Sequence, residues 1–324
     1  MTARLLRKVA GILVISALMV SVARSQDRNA VIQAFNDGAK ASQTDIPAAI
    51  KAFENAISLA DKVGEGAADL KQKASAALPG LYVKLVSNDI TEKKPSPEIM
   101  KAARAAVAIA AKYGTQVQKD DATKMLVQAF NAQAVGFFSK NDYPNALLTF
   151  DSLLAVNPDY VNAIYNKALI YYKQNNSDSF EQTIDLYLEK VKAANDEAKT
   201  KQASTLALGY FRVAGSKANQ AEKLNDALTL LTKASKYGDD KDLFYYFSDV
   251  YNKQKNFDKG LEYAQRGLDL EAGAVEAKAK FYFQLGIAQE GKGQTAEACA
   301  SFKNSSFGPF AEPSKIKMKN LKCK

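Results

Sequence analysis

The sequence predicts an all-helical protein built from antiparallel helix pairs stacked in a row. Three observations carry this expectation. Apolar residues recur at helical spacing almost from end to end, with Ala, Lys, Leu and Glu or Gln between them. Strand signals are nearly absent. A register of small residue, aromatic and proline returns along the chain, and no single helix pair of that kind buries its apolar face alone, so the pairs stack.

The N-terminus is set apart from this pattern. Arg4, Arg7 and Lys8 precede an uncharged apolar run from Val9 to Val22, followed by Ala23-Arg24-Ser25. This is the form of a secretory signal, with cleavage expected near Ser25 and Gln26. The rival is an uncleaved anchor, but the run is shorter than the roughly 18 residues of a spanning helix. Residues 1–25 are therefore expected to direct export and to be removed from the mature protein.

The formal charge of +9 divides unevenly. Arg4, Arg7, Lys8 and Arg24 belong to the signal, and Lys315, Lys317, Lys319, Lys322 and Lys324 crowd the C-terminus without an acid among them. The body between is neutral, which argues against a nucleic-acid groove.

Residues 26–124 read as degenerate helical pairs. Asp45 and Pro47 mark a helix start, and Phe35 to Ser42 pairs with Ala49, Phe53 and Ala56. Leu81 to Val86 pairs with Ala103, Val107 and Ala110. Polar loops are expected near Asp89 to Ser96 and, further on, Lys173 to Phe180. Asp120-Asp121 and Asp239-Asp240 read as helix starts, where carboxylates favour the positive end of the dipole.

Residues 125–310 read as five repeats. Ala146 and Phe150 stand on an expected second helix that Pro158 closes, and Ala168 and Tyr171 on the first helix of the next unit. Leu208-Gly209 then pairs with Ala227, Leu231 and Ala234. Phe244, Phe247 and Ser248 pair with Gly260, Ala264 and Gly267, and Leu285-Gly286 with Ala298 and Phe302. This register closely resembles that of tetratricopeptide (TPR) repeats, whose period is about 34 residues. The resemblance implies a right-handed superhelix whose first helices line a groove for a peptide or a partner helix. Carried over, the groove residues are Asn131, Phe138, Tyr165, Asn166, Tyr172, Tyr210, Tyr245, Asp249, Asn252 and Phe283. Tyr and Asn at such positions suit recognition, whereas aromatics at helical spacing also serve as inter-repeat core. Basic side chains that grip a terminal carboxylate are not evident.

Residues 311–324 read as a Lys-rich capping segment carrying Ile316, Met318, Leu321 and Cys323. The ending from Ala298-Cys299 through Gly308-Pro309-Phe310 to Leu321-Lys322-Cys323 resembles exported bacterial envelope TPR proteins, which implies a mature protein in the periplasm or cell envelope. Cys299 and Cys323 allow one disulfide, favoured by an oxidising compartment. The other reading is a buried thiol and a thiol at a frayed end.

The chain has no His. Ser-His-Asp and Cys-His catalysis are therefore outside its means, and no metal site or cofactor is expected. Gly286, Gly291 and Gly293 surround Lys292 in a near phosphate-loop pattern, but no strand enters it, so the glycines read as a helix-ending turn. The expectation is a non-enzymatic scaffold that binds protein or peptide and no nucleic acid. A peripheral membrane protein using the tail lysines is the second reading, and a His-independent hydrolase the third.

Overall fold

The structure is a computed structural model, described from residue 27 to residue 324. The expected export segment, residues 1–25, and the cleavage point lie outside the described residues. The described residues divide into two compact units, 27–163 and Ile164–Lys324. The division falls in the first turn of a helix, and composition gives no sign of it.

In the first unit, α1 (27–41) is followed by α2 (Ile46–Val63), a 3-10 turn, α3 (Ala68–Thr91), α4 (Ser96–Tyr113), α5 (Gln116–Ser139) and α6 (Tyr143–Val156). Consecutive helices from α2 onward pack on one another, and α3 also packs on α5. The Asp45 carboxylate accepts from the Ala48 amide at 2.9 Å and opens α2 with Pro47 in its first turn. Phe53 packs at 5.4 Å on Phe35 in a core of Ala34, Ala49, Ala56 and Leu78. The boundary expected at residue 125 lies inside α5, which begins at Gln116 behind a Thr115/Gln118 capping box. Asp120-Asp121 accordingly sit within the helix and do not start it.

The division between units falls in α7 (Val161–Lys173). The second unit continues with α8 (Ser177–Ala193), α9 (Glu197–Gln220), α10 (Leu224–Ser235), α11 (Lys241–Lys253), α12 (Phe257–Leu270), α13 (Val275–Gly291) and α14 (Thr295–Asn304). A 3-10 turn (Gly308–Phe310) and α15 (Ala311–Asn320) complete it. From α8 on, neighbouring helices pack pairwise, and α9 packs on α11 and α11 on α13. The helices α9, α11 and α13 thus form one layer, and α10, α12 and α14 each pack on the helix before them. Phe180, Phe211, Phe281 and Phe302 are fully buried, each contributing on the order of 2–3 kcal/mol.

One turn geometry joins the two helices of each pair. Asn141, Asn175, Glu222, Lys255 and Gly293 have φ of 58°, 54°, 57°, 60° and 75°. The next amide donates to a carbonyl five residues back, as from Asn256 to Tyr251 at 2.8 Å and from Gln294 to Gln289 at 2.9 Å. The polar loop expected between Lys173 and Phe180 is this same short turn, with α8 starting at Ser177. The phosphate-loop look-alike is another: Gly293 holds the left-handed position, while Gly286 lies inside α13 facing Phe302, where a Cβ would meet the ring at 2.6 Å.

The chain end closes the stack. Cys299 and Cys323 are disulfide-bonded with Cα atoms 5.6 Å apart. The buried hydroxyls of Ser305 and Ser314 are 2.7 Å apart, Lys317 donates to Glu290 at 2.6 Å, and Phe310 lies 5.3 Å from Phe283. Among the described residues no helix is long and apolar enough to cross a membrane.

Candidate partner-binding face

The five equivalent turns set a common register. Seven residues before each left-handed residue stands a small one: Ala134, Ala168, Gly215, Ser248 and Gly286. In α9 that residue is Gly215, where a Cβ would lie 2.7 Å from the Leu231 side chain. Gly209, expected in this role, has open space where its Cβ would be. The register read from Leu208-Gly209 is therefore out by six residues. Helix α9 has 24 residues, longer than its counterparts α11 and α13, and periodicity alone cannot choose between two glycines on it.

This shift moves Tyr210. Its counterpart in α11 is Leu243, fully buried, and Tyr210 itself packs on Phe180 at 4.5 Å and on Tyr172 at 5.2 Å. The α9 residue matching Tyr245 is Arg212, which pairs with Asp240 and reaches Asp242 at 3.7 Å. No pattern of aromatics pointed to Arg212; counting back from the turn at Glu222 does.

The other expected groove residues fall into three groups. Asn252 is buried, and its Nδ2 donates to the Gln284 main-chain oxygen at 3.0 Å and to Gln284 Oε1 at 2.8 Å. Asp249 accepts from Gln284 Nε2 at 2.9 Å and from Asn219 Nδ2 at 2.6 Å. Tyr245 lies over this junction; burial, reinforced by the charge of Asp249, pushes its phenol up to about 12. Phe283 packs between Phe302 and Phe310. These four join first helices to their neighbours, and at α11–α13 the amide and carboxylate groups are turned toward one another, with Asn252 Oδ1 enclosed and without a hydrogen-bond partner among the described residues.

A second group is half-buried near its own pair. The Tyr165 ring lies 4.9 Å from the buried Tyr187, and burial raises its phenol pKa. Phe138 lies 6.1 Å from Tyr143. Asn131 and Asn166 are half-buried, and Asn131 Oδ1 is enclosed without a hydrogen-bond partner.

Tyr172 is the exception, 39% exposed. It lines a depression of about 360 Å³ with Tyr210, Val213, Lys217 and Leu230. A second depression of about 280 Å³ adjoins it along α9, sharing Val213 and Lys217 and adding Arg212, Gln220, Asp242 and Tyr246. Val213 is 49% exposed. Among the described residues no group of His, Cys, Asp and Glu is placed to hold a metal ion.

Helix pairs packed in sequence and joined by one recurring turn geometry define an all-helical repeat protein. No family description and no curated protein matches the chain. Its similarities are to solved structures. The MamA protein is 17% identical over 60% of this chain and 94% of that one, with a TM-score of 0.34. A tetratricopeptide repeat protein from Parabacteroides merdae ATCC 43184 is 16% identical over 92% and 99%, with a TM-score of 0.28. YrrB, a TPR protein with an unusual peptide-binding site, is 15% identical over 60% and 91%, with a TM-score of 0.34. At these scores the repeat class rests on the packing described above.

Proposed function

We propose that this protein is a non-enzymatic scaffold of the bacterial periplasm or envelope that holds a peptide or helix of a partner protein. The observation that carries the reading is the pair of adjoining depressions on α9, where Val213 and Tyr172 leave apolar surface open to solvent. Concave apolar surface with a few polar groups around it is the usual form of a recognition site. Export is supported by the basic and apolar N-terminus and by a disulfide, which persists in oxidising compartments.

The tail lysines favour the scaffold over the membrane reading. Lys315 is bonded to Glu312 at 2.7 Å and Lys317 to Glu290 at 2.6 Å, so part of the tail charge is already answered within the chain.

Val213→Asp places a charge on the open apolar surface without touching the core. Mild crosslinking in an envelope extract, followed by capture of the full chain, should recover a partner with the wild type and lose it with Val213→Asp. Capture that is unchanged removes α9 from the binding face. Sequencing of the captured chain from its first residue tests export, with Gln26 as the expected start; an intact Met1 overturns it.

A further inference from the structure

We infer that the α9 face selects segments in which a large apolar side chain stands next to an acidic one. This rests on the binding role proposed for the same face and adds the chemistry of what binds there. Tyr172, Tyr210, Val213 and Leu230 form the apolar wall of the larger depression, whose one charged lining residue is Lys217. The smaller depression adds Arg212 and a single carboxylate, Asp242. That carboxylate is taken up by Lys280 and Arg212. Lys217 stands at the wall common to both depressions, exposed and without an ion-pair partner among the described residues. The lining therefore carries one unanswered positive charge beside an open apolar surface, and an acidic group next to an apolar side chain is its complement.

The neighbouring junction shows what an answered charge looks like. At α11–α13, Asp249 is held by Asn219 and Gln284, and Lys253 lies 3.7 Å from it and 3.1 Å from Glu222. Among the described residues no carboxylate is paired with Lys217.

The test uses the full oxidised chain and fluorescein-labelled synthetic peptides capped at both ends. Each presents Leu or Phe followed by Glu, Gln or Lys in a Gly-Ser background. The Glu peptides should bind roughly fivefold more tightly than the Gln peptides, the effect of one solvent-exposed ion pair, and the Lys peptides more weakly still. The preference should vanish in about 1 M salt, where the screening length is roughly 3 Å. Lys217→Gln should abolish it, and Lys217→Glu should reverse it toward Lys peptides. Equal affinity for all three series, or a preference unchanged by both substitutions, overturns this inference alone, provided that Val213→Asp still abolishes binding. If no peptide of any series binds, the binding role of the face falls with it.

Discussion

Asn252 on α11 reaches across to Gln284 on α13, its Nδ2 at 3.0 Å from the main-chain oxygen and 2.8 Å from Oε1. A residue that repeat pattern assigns to a groove is thus a bolt between two first helices. Replacing it by Ala removes both bonds and opens a gap beside Gly260, whose Cα faces Asn252 Oδ1. A loss of about 1–3 kcal/mol is expected, read as a lower urea midpoint. Partner capture at 4 °C should persist; loss of capture with unchanged stability would return Asn252 to the binding face.

Two glycines on first helices should respond in opposite directions to the same change. Gly286→Ala drives a methyl toward the Phe302 ring, which is enclosed on every side, and should destabilise by about 1–3 kcal/mol. Gly209→Ala meets open space inside a helix and should stabilise by about 0.5–1 kcal/mol. Thermal melts of both variants decide it, and equal effects would mean that the register based on Gly215 is wrong.

The end cap depends on its bridge. Ser314 is the one fully enclosed residue of α15, and Ile316 is 59% exposed, so little apolar burial holds this helix down. A helix of 10 residues is marginal in water without such support. Closing a loop across a separation of 24 residues contributes on the order of 3 kcal/mol. Reduction, or Cys323→Ser, should lower the melting temperature and speed amide exchange in α15 before other helices. Two titratable thiols in the native oxidised protein would contradict the bridge.

Acid should loosen the link between α11 and the end of α12. The Glu271 carboxylate is 5% exposed; a hydrogen bond from Lys241 and the Gly273 amide hold its pKa below the ordinary value of 4.5. Because the native value is the lower one, the stability it adds is complete above pH 4.5 and fades as pH falls through the native value. Glu271→Gln should therefore flatten part of the fall in melting temperature below that pH. A mutant whose acid limb matches the wild type would refute the assignment.

Much of the architecture was legible because it is written in local chemistry. Asp45 with Pro47 marks a helix start in any context. Ala146 with Phe150 and Ala298 with Phe302 recur at helical spacing and point to the side that must be buried. The α9 register was not legible, because Gly209 and Gly215 satisfy the same local pattern and only the approach of Leu231 distinguishes them. The aromatic signal also left the role of Phe283, which packs between Phe302 and Phe310, undecided, since an aromatic ring suits a repeat interface as well as a binding surface.

By itself, the sequence determined the helical class, the pairing of small and aromatic residues, the absence of imidazole chemistry and the separation of basic ends from a neutral body. Each follows from composition or from spacing within one helix. Tertiary structure alone decided which groups are spent on one another and which are left open. Asn252 and Asp249 on α11 meet Gln284 on α13 only once the two helices are stacked, whereas Lys217 and Val213 remain open to solvent. A hydrogen bond between helices depends on a separation of about 3 Å in space, and spacing along the chain carries no record of it.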